Sequence, residues 1–236
     1  MGYLHPHLPG TPAAVHYPPL YPLLLAPLFA ALPVAAAAFV AKVANLMLAA
    51  LATGLIAWYA TKVNLLGDRA PRWLSTALVA ASGLAMPVLA IQAVLFAEPL
   101  FQVLVVAAVI CAAVPPERWS TRKAATLAGA AAALALLTRS LGVTVAAGIV
   151  AYLALVRRAR WMDLAAAISP VVVAGVAWGV WLVRHAGGID PALAMNYGNY
   201  FATVRQAGFG VFRASARDLP RPLADLVFGS LPPSLY

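Results

Sequence analysis

The sequence predicts an all-α fold: a polytopic membrane helix bundle of about six transmembrane helices, with a juxtamembrane helix at its N-terminal side. Composition is the first reason. Of 236 residues, 64% are hydrophobic and 10% charged, with a mean hydropathy of +0.88. A soluble domain carries roughly 25% charged residues, so this chain has too few polar groups to clothe a globular surface, and its apolar surface must face lipid. The second reason is where the charge falls. The net charge is +9, yet the basic residues form short clusters between apolar runs, as in cytoplasmic loops of membrane proteins. That spacing argues against nucleic acid as a partner and for the bilayer.

In chain order, residues 1–17 are irregular and rich in Pro and His. They lack a basic n-region and a small-residue cleavage site, so no cleavable signal peptide is expected. Residues 18–32, PPLYPLLLAPLFAAL, are apolar but too short and too Pro-broken to cross a membrane. They predict a juxtamembrane helix lying at the interface. Spans are expected at about 35–61, 73–95, 99–114, 124–138, 141–156 and 162–183, closing a core that covers 18–185. A polar tail, 186–236, follows. The spans at 99–114, 124–138 and 141–156 are short for a crossing and rich in Ala and Gly, which lets helix backbones approach closely. A packed bundle whose outer turns sink into the membrane accounts for both features.

Charge orients the bundle. Lys62, Arg69 and Arg72, then Arg118, Arg122 and Lys123, then Arg157, Arg158 and Arg160 occupy alternate turns, so six spans bring all three clusters to one side. The positive-inside bias makes that side cytoplasmic. Trp58, Trp73, Trp119 and Trp161 flank the same loops, as an aromatic belt does. The N-terminus, the 95–99 turn, Arg139 and the tail then share the outer face of a multi-pass cell-membrane protein.

Signatures of soluble enzymes are missing: there is no phosphate-binding Gly-rich loop with its Lys, no HExxH and no paired-Cys metal spacing. His5 and His7 form a terminal pair without a third ligand, so no metal site is expected. Cys111 is the lone cysteine and lies in an apolar run, which excludes an intrachain disulfide. Three ionisable groups stand where lipid makes charge costly. Lys42 either snorkels to the outer headgroups or faces a polar partner. Glu98, before Pro99, either serves a helix start or takes part in a site. Arg139 is either an interfacial turn residue or a phosphate ligand suited to a bidentate grip. These three and His16 share the outer face in this topology, where Tyr17, Tyr21, Tyr197 and Tyr200 offer hydroxyls and rings to a sugar or simply anchor the interface.

Several of these segments are familiar. His16-Tyr17-Pro18-Pro19-Leu20-Tyr21-Pro22-Leu23-Leu24-Leu25 resembles the outer-face juxtamembrane helix of bacterial GT-C glycosyltransferases, the group that includes protein O-mannosyltransferases and the aminoarabinose transferases of lipid A. Phe96-Ala97-Glu98-Pro99-Leu100-Phe101 looks like that group's SEPLF turn, and Leu137-Thr138-Arg139-Ser140 looks like its LTRP turn with Ser140 in place of Pro. Lys42 stands where many members carry a basic residue. The likeness covers about 16–185. It implies an integral membrane hexosyl- or pentosyltransferase that moves a sugar from a polyprenyl-phosphate lipid to an acceptor on the outer face of the cytoplasmic membrane. Arg139 and Lys42 would hold the donor phosphate, with Glu98, His16, Tyr17 and Tyr21 as substrate-site candidates. No organic cofactor is implied, and a divalent cation is left open. The family's first transmembrane helix and its catalytic acid would lie before Tyr3, and its members continue past the equivalent of Tyr236, so the expectation is a fragment without its own general base. The alternative is a non-catalytic polytopic protein, such as a polysaccharide-export or transporter subunit, although the related halves common in transporters are not seen.

Overall fold

The computed structural model describes residues 4, 10–84, 94–185 and 210. The chain divides into two compact units, Tyr17–Trp181 and Met1–His16 with Leu182–Tyr236. In the second unit, an antiparallel bridge joins Leu4 to Ala13, and Ala14 and Val15 are buried.

The larger unit is helical, and no strand occurs among the described residues. Its helices are α1 (Leu20–Ala31), α2 (Val34–Lys62), α3 (Arg72–Gly83), α4 (Glu98–Ala113), α5 (Thr121–Thr138), α6 (Gly142–Leu155) and α7 (Trp161–His185, running into the other unit). Proline sets several starts: Pro33 and Pro71 precede α2 and α3, and Pro99 sits in the first turn of α4, where its missing N–H is no loss. Ser120 caps α5, its hydroxyl accepting the Lys123 N–H, a typical N-cap bond. At the far end of α2, Asn64 takes a left-handed conformation (φ 53°). There the Leu65 N–H reaches the Ala60 carbonyl at 3.0 Å and the Asn64 N–H reaches Thr61 at 3.3 Å, the paired bonds of a Schellman stop.

Two of these helices, α2 with 29 residues and α7 with 25, are long and apolar enough to cross a membrane. In each, only 22% of the apolar stretch is buried. The core helix of a soluble domain would be mostly covered, whereas Phe39, Met47, Val173 and Val176 point outward. The shorter helices α4, α5 and α6, with 16, 18 and 14 residues, measure about 24, 27 and 21 Å at 1.5 Å per residue. The expected span at 73–95 is met by a 12-residue α3, and residues 85–93 lie outside the described ones. Among the described residues, two helices thus have the length and hydropathy of a full crossing.

Helix α5 is the hub. Ala124, Ala125, Ala128, Gly129, Ala132, Ala133 and Ala135 are buried along it, and it packs extensively against α4. The core gathers Ala108, Ala112, Ala125, Ala128, Ile149, Leu153 and Ala167 from four helices. Small side chains bring backbones together, so packing comes from dispersion over closely opposed surfaces. At Gly129 the approach is closest: a methyl group there would run into the Ala167 backbone of α7.

The ends of the bundle are distinct. Arg157 donates from Nη2 to the Val114 carbonyl at 2.9 Å, and Arg122 pairs with Asp163 at 3.8 Å, so the α4–α5 and α6–α7 loops adjoin. Asn45 of α2 lies level with Phe96, and Tyr59 lies level with Ala112 and Ala113, so α2 and α4 run parallel. The α2–α3 loop consequently joins the other two loops, and all three basic clusters share one end. Lys62 stacks over Trp58 at 4.6 Å and Lys123 over Trp119 at 5.0 Å, contacts that hold a cation beside an aromatic face. Trp73 and Trp161 are exposed there.

The Gly129 contact gives a direct test. Gly129→Ala should lower stability by about 1–3 kcal/mol through overpacking. Gly54→Ala, where nothing lies within 4 Å of an added methyl, should be neutral or gain up to about 1 kcal/mol from helix propensity. Thermal unfolding of the detergent-purified chain reads both, and equal melting temperatures would refute the close α5–α7 approach.

Candidate functional site

Opposite the basic loops, the polar groups of the helices converge. Arg139 and Glu98 form an ion pair, guanidinium Nη1 to carboxylate Oε1, joining the end of α5 to the start of α4. Each is partly exposed, 36% and 29% respectively. The local sequence explains the presentation. Glu98 lies in the first turn of α4, where the helix dipole favours an acid. Arg139 is the extended residue ending α5 (φ −148°, ψ 140°). Its N–H bonds the Ala135 carbonyl and its own carbonyl accepts the Gly142 N–H, both at 2.8 Å. Gly142 makes this fold-back possible, because any side chain there would strike the backbone of Ala135 and Leu136.

Beside the pair stands a residue that sequence reasoning passed over. Asn45, in the middle of α2, is 1% exposed. Its amide nitrogen donates to the carbonyls of Val94 at 3.2 Å and Phe96 at 3.0 Å, and its oxygen accepts the Tyr21 hydroxyl at 3.1 Å. One side chain thus ties α1, α2 and the strand of backbone leading into Glu98. A lone amide inside a long apolar helix was the available signal, since a buried polar group must be bonded or costs several kcal/mol. Burial pushes the Tyr21 phenol above its ordinary range, the Asn45 bond opposes this, and the charge of Glu98 adds a smaller upward push. Tyr21 therefore stays a neutral donor within electrostatic reach of the ion pair.

Next to this network, α1 and α2 enclose an open cavity of about 630 Å³. Leu24, Leu28, Ala41, Leu48 and Leu100 make its wall apolar, while Tyr21 and Asn45 supply its polar corner. Neither Glu98 nor Arg139 lines it; the link to the pair is Tyr21, in the polar corner of the cavity and within electrostatic reach of Glu98. Acid is scarce at this end. The other described carboxylates, Asp68, Glu117 and Asp163, all belong to the basic loops or to helix starts beside them.

Of the residues singled out from sequence, Glu98, Arg139 and Tyr21 come together. Lys42 does not join them. It is exposed on α2 and makes no ion pair with a described residue, which fits its snorkelling reading better than a grip on the same phosphate. Tyr17 is 59% exposed, and His16 belongs to the other unit. His5, His7, Tyr197 and Tyr200 lie outside the described residues. Compared with known protein families, curated proteins and solved structures, the chain matches none.

The Asn45 network predicts unequal losses. Tyr21→Phe removes one bond and should cost about 1 kcal/mol. Asn45→Leu strands two part-buried carbonyls and the Tyr21 hydroxyl and should cost more, about 1–3 kcal/mol, and the double variant should lose less than the two single losses combined. Additive losses in thermal or denaturant unfolding would show that the three groups do not form one unit.

Proposed function

We propose that this chain is a multi-pass protein of the cell membrane whose end opposite the basic loops binds a polyprenyl-phosphate sugar for glycosyl transfer. The observation that carries the reading is Arg139 held by Glu98, partly exposed, at the end of the bundle opposite the basic loops. Glu98 is the only hydrogen-bond partner of the Arg139 side chain among the described residues, and a guanidinium has five N–H donors in a planar fork. Nε and Nη2 are therefore left to grip a phosphate while Glu98 fixes the orientation of the group. The apolar cavity beside Tyr21 suits the first isoprene units, and the Tyr21 hydroxyl suits a sugar. The resemblance of 96–101 and 137–140 to GT-C turns points the same way.

In such a transfer an acceptor oxygen bonds the anomeric carbon as the carbon–oxygen bond to phosphate breaks. Polyprenyl phosphate leaves with that bonding pair, and the hydroxyl proton passes to a carboxylate base. Arg139 would stabilise the charge that grows on the leaving phosphate. Glu98, already bound to Arg139, serves as its positioning partner, so the described residues form the donor half of the site. The positive-inside bias puts the basic end in the cytoplasm and both chain termini on the outer face.

The reading predicts that the reconstituted chain binds a radiolabelled polyprenyl-phosphate sugar. Arg139→Ala should weaken that binding about ten- to a hundredfold, the worth of a charged hydrogen bond, with Arg139→Lys in between. Equal binding by all three overturns the phosphate role, and failure of the wild-type chain to bind the lipid overturns the reading as a whole. Topology has its own test. On a Cys111→Ser background, a cysteine at Ser140 should react with an impermeant reagent from outside and one at Ser120 should not, and reversed labelling would invert the site.

A further inference from the structure

A second groove runs along the side of the bundle, from the first turn of α6, just after the Arg139 turn, toward the basic end. It opens between α2, α4 and α6, holds about 300 Å³, and is lined by Tyr59, Val109, Ala113, Val145, Gly148 and Tyr152 among others. From Thr144 to Tyr152 it follows α6 for about 12 Å. Gly148 keeps it open, for nothing lies within 4 Å of a methyl placed there. The groove runs toward the cationic loops. Tyr59 is one turn before Lys62, and Tyr152 is five residues before Arg157. The Arg157 guanidinium sits on the carbonyl of Val114, next to the lining residue Ala113.

Among the described residues, charge at this rim is only partly compensated: nine basic residues stand against Asp68, Glu117 and Asp163. Arg122 faces Asp163, which also receives the Arg160 N–H, and Asp68 accepts from Asn64. Neither Arg157 nor Arg158 has a carboxylate partner among the described residues. We propose that this groove holds one acyl chain of an anionic glycerophospholipid whose phosphate is met by Arg157, with Lys62 and Arg158 close by. An apolar trough beneath a cationic rim matches the two ends of such a lipid, and clustered Lys and Arg at a membrane surface attract anionic headgroups. An apolar helix of another protein would fill the trough but leave Arg157 and Arg158 without a counter-charge. The inference rests on the membrane-spanning part of the proposed function and is independent of the sugar-transfer part.

The probes are phosphatidylglycerol and phosphatidylcholine with matched acyl chains, added to the detergent-purified full chain and read by native mass spectrometry. Wild-type protein should retain phosphatidylglycerol about tenfold better than phosphatidylcholine. Arg157→Gln, which keeps an amide donor for Val114, should lower that preference about fivefold, near the worth of one basic residue at a membrane surface. Gly148→Leu, which fills the trough, should abolish retention while leaving the melting temperature unchanged. In parallel, phosphatidylglycerol with a photoreactive acyl chain should crosslink to the peptide covering 144–152, a readout that needs no variant. Equal retention of the two lipids by wild type, unchanged retention by Gly148→Leu, or crosslinks only elsewhere would overturn the proposal. If alkaline carbonate extracts the chain from membranes, the membrane reading fails first; a carbonate-resistant chain without lipid preference sinks only the lipid site.

Discussion

Polar groups inside an apolar helix bundle have almost nothing to bond except one another, and this scarcity governs the whole fold. With one residue in ten charged, each buried amide, hydroxyl or guanidinium must find its partner within the chain, because an orphaned one costs more than most single contacts return. Asn45 is the clearest case, its amide spent entirely on Val94, Phe96 and Tyr21. Thr53, Thr61, Thr126 and Thr138 turn their hydroxyls back to carbonyls four residues earlier, a local answer to the same demand. Arg157 closes the open carbonyl after α4.

These bonds settle where helices meet, and small residues let them meet closely. The alanine face of α5 brings α4 and α7 near enough for backbone contact, and Gly142 lets the chain reverse tightly at the end of α5. That reversal places Arg139 against the first turn of α4. The ion pair is therefore a product of packing: two helix ends are fixed by apolar contacts, and the charges complete what the backbones have already arranged. Partly exposed, the pair is screened enough to persist and accessible enough to meet an anion, a combination that a fully buried pair would lose to desolvation.

The two ends of the bundle have opposite electrostatic character. One gathers nine basic and three acidic side chains in and beside its loops, with tryptophans near them. Among the described residues of the larger unit, the other has the Glu98–Arg139 pair, a hydrogen-bonded amide and the exposed Lys42.

Composition and the placement of prolines and charges were enough to anticipate the helices. The bounds expected for five of the six spans, and for the juxtamembrane helix, fall within three residues of those found, because apolar runs stop where Pro, Gly and basic loops interrupt them. The Glu98 and Arg139 turns were visible too, since an ionisable residue stands out against an apolar background. What sequence could not decide was partnership. Lys42 has the same chemistry as an arginine at a site, yet its position on the α2 circumference sends it outward. Asn45 carries no charge, and only three-dimensional packing brings it to the backbone ahead of Glu98. Helix formation is a local property of spacing and propensity, whereas the choice of which polar group meets which depends on helix rotation and on contacts between residues up to about fifty positions apart, and those exist only once the bundle has formed.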